Sequence, residues 1–161
     1  MQLEHAWEHS LLDLAYEALH RHDEWRHDDR AGHAADYNGD VLAAAYTYCD
    51  RMTADNSRSF HLASGLLPGH QREAVRALYA FCRVSDDIVD RAAGNRCTQL
   101  EEWRRLATTN HPPSDQPVAV AWTHARQRYE VPGRYAEQLI DGVARDLAQS
   151  RYQTFDELAS Y

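Results

Sequence analysis

From about residue 40 onward the apolar positions recur every three or four residues, and no segment sustains the two-residue alternation of a strand. Val41, Ala44, Ala45, Tyr48, Cys49 and Met52 mark one buried face of a helix over 40–55. Leu66-Leu-Pro-Gly69 turns the chain, and Pro68 is well placed to open a long helix that fades after Arg91. Beyond Gly94-Asn95, the spacing of Leu100, Trp103 and Leu106 predicts a shorter amphipathic helix. His111 to Pro117 is a loop, Val118 to Tyr129 a further helix, and Val131-Pro-Gly133 its end. The next helix carries Tyr135, Leu139, Gly142, Asp146 and Gln149 on one stripe, and Thr154 with Glu157 forms the capping-box pattern of a last helix that reaches Tyr161. The fold class is therefore all-α, an orthogonal or roughly antiparallel bundle in which chemistry is built by side chains on facing helices.

Residues 1–38 differ from the rest and are read as a polar, His-rich, partly helical extension, with 39–161 as the body. Leu11, Leu12, Ala15 and Leu19 form one helical stripe, whereas Arg21 to Arg30 has none and reads as a linker. His20, His22, His27 and His33 match no metal-ligand spacing and are expected on a solvated surface.

The long helix carries the candidate chemistry. At about 100° per residue, Tyr79, Arg83, Asp86 and Asp90 fall within an arc of roughly 60°, with Val75 and Cys82 at its edge. Carboxylates one turn apart repel unless a cation lies between them. Hard oxygen ligands suit Mg²⁺, which is commonly held by one or two carboxylates together with substrate phosphates. The bland alternative is a solvated acidic face. Continuity with Tyr79 and Cys82, and the nearness of Arg83, favour a half-buried face that grips a metal-bound diphosphate. Upstream, Ser57 and Ser59 flank Arg58 near a helix start, where hydroxyls serve phosphate oxygens or simply cap the helix. Asp146 shares its stripe with Gly142, where backbone can approach closely, and is read as a second polar contact to the site, with an ion pair to Arg145 or Arg151 as the alternative.

Composition narrows the classes. The net charge of −8 excludes broad nucleic-acid binding but not an anionic substrate reached through a metal ion. All 17 basic residues are arginine, which reads first as a coding-composition signature, although arginine also suits planar, bidentate phosphate contact better than lysine. Cys49, Cys82 and Cys97 are widely spaced, so no disulfide framework or zinc site is indicated, and Cys82 reads as a small core residue. The amino terminus has no secretory pattern and no apolar run spans a bilayer, so a cytoplasmic location is expected.

Taken in order, Ser57-Arg-Ser-Phe60, Leu66-Leu-Pro68, Tyr79-Ala-Phe-Cys-Arg83, Asp86-Asp-Ile-Val-Asp90, Leu139-Ile-Asp-Gly-Val143 with Asp146-Leu147, and Arg151-Tyr-Gln-Thr-Phe155 resemble the squalene/phytoene synthase family over about residues 45–161. The resemblance implies an isoprenoid synthase fold and head-to-head condensation of two prenyl diphosphates through a cyclopropyl intermediate, with Mg²⁺ (Mn²⁺ as its substitute) as cofactor. It places Asp86 and Asp90 as metal ligands with Asp87 adjacent, Ser57, Ser59, Phe60, Tyr79 and Arg83 along the substrate site, and Tyr161 at the start of a further helix. Family members continue to a second aspartate-rich motif, so this polypeptide is expected to hold the N-terminal half of the fold, to be weak or inactive alone, and to self-associate through uncovered apolar faces. Peripheral membrane contact for product release is expected as well. Geranylgeranyl diphosphate giving phytoene, farnesyl diphosphate giving squalene or dehydrosqualene, a terpene cyclase, and a non-catalytic helical module binding a full-length synthase or a membrane surface stay open on the residues alone.

Overall fold

The computed structural model describes residues 37–91 and 94–148. They form six helices: α1 (Gly39–Asn56), α2 (Arg58–Ser64), α3 (Gly69–Arg91), α4 (Arg96–Thr108), α5 (Pro117–Arg128) and α6 (Gly133–Ala148). No strand occurs among the described residues, in keeping with the all-α expectation. The Leu11–Leu19 stripe, the histidines of the first 36 residues, the helix expected after Thr154, and Tyr161 lie outside the described residues.

Local chemistry sets the helix ends. Asn38 caps α1 by accepting from the Asp40 N–H at 3.2 Å, and Asn95 caps α4 by accepting from the Thr98 N–H at 3.3 Å. Pro117 occupies the first turn of α5, where its missing N–H costs nothing. Gly94, at φ 91°, makes the left-handed turn between α3 and α4 that a side chain would resist. Tyr37 already belongs to the body, since its hydroxyl donates to the Pro112 carbonyl at 2.7 Å.

α5 is the innermost helix: every residue from Val118 to Thr123 is buried. It packs on α1 and α3, which also pack on each other, while α4 and α6 pair and lie against α3. Small side chains, Ala45, Ala77, Ala80, Ala119 and Ala121, line these contacts and let the helices approach closely. Phe81, 1% exposed, fills the centre, stacked on Trp122 at 4.8 Å and on Trp103 at 5.9 Å between ring centroids. Burying such a ring contributes roughly 1.5–3 kcal/mol before any stacking gain.

Three packing expectations are corrected. On α1 the buried line runs through Ala45, Cys49 and Thr53, whereas Ala44 and Tyr48 are exposed. The apolar stripe is wider than the contact, and a helix seats on its middle. Cys49, fully buried, is the core thiol, pushed up to about 12 by burial, while Cys82 is only partly buried. Gly142 has open space where a Cβ would project, so among the described residues no backbone outside its own helix approaches it closely there.

Candidate functional site

α3 has two unlike faces. Ala77, Ala80, Phe81, Ser85 and Val89 are buried, and Val84 and Ile88 pack against the same core. At about 100° per residue these centre almost opposite Tyr79, Arg83, Asp86 and Asp90. Asp86 and Asp90 are accordingly exposed, not half-buried as the stripe suggested. The cause is the phase of the helix: both arcs carry apolar residues, and the one with Phe81 meets α4 and α5. The Asp86 charge is nevertheless felt along the outward face. The Cys82 thiol is pushed up first by its own burial and then by that carboxylate.

The structure brings part of the expected set together on this face. Phe60, on α2, stacks on Tyr79 with ring centroids 5.2 Å apart and an interplanar angle of 23°. Arg83 grips Asp87 with both ends of its fork, Nε to Oδ2 at 3.0 Å and a terminal nitrogen to Oδ1 at 2.5 Å. Asp87 thus orients the guanidinium one turn above Tyr79. Ser57 caps α2, its hydroxyl accepting from the Phe60 N–H at 3.4 Å, and Ser59 is exposed. The capping alternative is the arrangement seen for Ser57. α6 is described through Ala148, but the side chain of Asp146 lies outside the described residues, as does Tyr161. Asp86 and Asp90 supply two accessible oxygen donors one turn apart. Among the described residues no cluster of three or more His, Cys, Asp or Glu side chains adds to them.

The two helices that carry the Phe60–Tyr79 pair also share a polar cluster that sequence reasoning missed. Arg76, 8% exposed, donates to the Asp50 carboxylate on α1, to the Ser64 hydroxyl at 3.0 Å and to the His61 carbonyl at 2.8 Å. His61 Nε2 in turn lies 3.3 Å from the same Asp50 oxygen. A second polar pair sits between α1 and α5, with the Tyr46 hydroxyl 2.8 Å from His124 Nδ1. Burial and the neighbouring Arg128 lower the His124 pKa, opposed by Glu73, and burial raises that of Tyr46.

Comparison with known proteins places this face within a matched region. The family described as squalene/phytoene synthase matches residues 53–161. The chain is 36% identical over 125 residues to a 15-cis-phytoene synthase of Synechococcus elongatus, covering 74% of this chain and 40% of that protein. It is 33% identical over 132 residues to a phytoene synthase of Cereibacter sphaeroides (75% and 37%) and 33% identical over 126 residues to a chloroplastic phytoene synthase of Daucus carota (75% and 31%). The chain thus spans about two fifths or less of the length of these relatives.

Proposed function

The chain belongs to the squalene/phytoene synthase family, and we propose that it serves the head-to-head condensation of two geranylgeranyl diphosphates, through a cyclopropyl diphosphate, to phytoene. The observation that carries the proposal is the outward face of α3, where Tyr79, with Phe60 stacked on it, is followed along the same side of the helix by Arg83, Asp86 and Asp90.

In this reading Asp86 and Asp90 hold Mg²⁺, or Mn²⁺ in its place. The donor set fits: two exposed carboxylates satisfy the modest protein share that Mg²⁺ requires, leaving room for phosphate oxygens and water. When bound, the ion neutralises charge on a departing diphosphate. Arg83, already oriented by Asp87, keeps N–H groups beyond those two bonds for diphosphate oxygens. Ser59 adds a hydroxyl, and Ser57 holds the start of α2 in place. Phe60 and Tyr79 present ring faces that exclude water from an allylic cation and stabilise its charge. On the family resemblance, Asp146 and Tyr161 are further substrate-binding residues. The hydrocarbon product is released at a membrane surface by peripheral contact from the cytoplasmic side; no helix among the described residues is long and apolar enough to cross a bilayer.

The test is calorimetric binding of geranylgeranyl S-thiolodiphosphate, which resists ionisation, with Mg²⁺ or with EDTA. Binding should require the metal and fall by about tenfold or more in Asp86→Asn and Asp90→Asn. Metal-independent binding that ignores both substitutions overturns the proposal. Product analysis with farnesyl and geranylgeranyl substrates, with and without NADPH, separates phytoene from squalene formation.

A further inference from the structure

α2 is a seven-residue helix with one buried residue, Ser64, and with Leu62 74% exposed. Such a helix is too short to persist on its own propensity and buries too little apolar surface to be held by packing. Polar contacts supply what packing does not: His61 Nε2 lies 3.3 Å from Asp50, an Arg72 terminal nitrogen donates to the Gly65 carbonyl at 3.5 Å, and the largest group of contacts converges on one side chain, Arg76. The Arg76 fork spans α1 and α2 at once: Asp50 on one side, Ser64 and the His61 carbonyl on the other. The arrangement is self-consistent, since a charge this buried is tolerated only when paired and fully hydrogen-bonded. Gly65, at the end of α2, fits closely above it, where a Cβ would come 3.0 Å from the Leu62 carbonyl and 3.9 Å from the Arg76 guanidinium.

We propose that Arg76 is a positioning residue for the substrate face: through Asp50, His61 and Ser64 it fixes the height and rotation of α2, and so holds the Phe60 ring on Tyr79. Arg76 lies about one helical turn from Tyr79 on the same helix, so the clamp and the stack share one rigid support. Arg76 touches no substrate in this account. The functional meaning of the clamp rests on the proposed synthase reading, whereas the positioning itself does not.

Two variants test it. Arg76→Met keeps the aliphatic stem and removes every polar contact; Arg76→Lys keeps the charge beside Asp50 but cannot also reach Ser64 and the His61 carbonyl. With helicity and the Phe81–Trp122 ring contacts retained, the nuclear Overhauser contact between the Phe60 and Tyr79 rings should be lost in Arg76→Met and weakened in Arg76→Lys. Its persistence at full strength in a folded Arg76→Lys protein overturns the proposal. Affinity for geranylgeranyl S-thiolodiphosphate with Mg²⁺ should fall about tenfold in Arg76→Met, with no further fall when Phe60→Ala is added, because both act through one ring. Additive losses also overturn it. If the unsubstituted protein fails to bind the probe with Mg²⁺, the synthase reading fails, and the ring contact alone decides whether Arg76 positions α2.

Discussion

Ser85 and Trp103 fasten the acidic part of α3 to α4, and a double-mutant cycle on them measures that fastening. Ser85 is fully buried; its hydroxyl donates to the Phe81 carbonyl one turn back at 2.9 Å and accepts from Trp103 Nε1 at 2.9 Å. Ser85→Ala strands a buried indole N–H, which costs roughly 1–3 kcal/mol, offset by the better helix propensity of alanine, worth about 0.5 kcal/mol. The net loss should be about 0.5–2.5 kcal/mol. Trp103→Phe removes the donor and leaves the Ser85 hydroxyl still bonded to Phe81, so its cost, roughly 1.5–3 kcal/mol, comes mainly from lost ring volume next to Phe81. In the Trp103→Phe background no N–H remains to strand, so adding Ser85→Ala should be neutral or slightly stabilising. Urea denaturation followed by helical circular dichroism reads all four corners, provided the slope with denaturant is unchanged. A Ser85→Ala penalty that is the same in both backgrounds, within about 0.5 kcal/mol, refutes the bond as the source of the effect.

Three further expectations follow from single sites. His124 is held neutral by burial and by Arg128, so its folded pKa lies below the ordinary 6.5; the unfolded chain then binds the proton more readily, and stability present above pH 6.5 should be lost as the pH falls through the folded pKa, a slope that His124→Gln should flatten in urea midpoints measured between pH 7.5 and 5. Glu130 adopts φ 53° at the end of α5, where the Val131 N–H closes back on the Arg126 carbonyl at 2.8 Å; Glu130→Gly should raise stability by about 0.5–1 kcal/mol in a thermal melt. A thiol reagent at pH 8 should modify exposed Cys97 in the native protein and reach Cys49 only after unfolding, because Cys49 is sealed in the core and its thiolate is suppressed by burial.

Much of the architecture was legible because it rests on local signals. Asn38, Ser57, Asn95 and Pro117 each stand where a helix begins, and Pro68 just ahead of one, for reasons that involve only neighbouring backbone groups. The Arg76 cluster was illegible because its partners lie 26, 15 and 12 residues away in sequence. Nothing in the spacing of an arginine within a mixed helix says whether it meets water or three acceptors on two other helices. The misjudged rotation of α1 has the same origin. Ala44 and Tyr48 are apolar yet exposed, and periodicity records which residues tolerate burial, not which receive it.

The placement of the acids shows how packing on one side of a helix makes chemistry available on the other. α3 offers two arcs with apolar content, and the choice between them is made by Phe81, whose ring finds two indoles, and by Ala77 and Ala80, which allow α1 and α5 to close in. Turning α3 by half a revolution would expose that aromatic ring and bury two carboxylates, a change costing several kcal/mol on each count. The core therefore fixes the phase, and once it is fixed Asp86 and Asp90 must project outward with Arg83 and Tyr79 beside them. Outward projection is compatible with a metal-binding role: a small dication that keeps part of its hydration shell needs carboxylates that water and a phosphate can reach. A fully buried pair would neutralise by taking up protons and lose its affinity for the ion. Burial of Phe81 and exposure of Asp86 are thus one energetic decision, and a substitution that loosens the first should misorient the second.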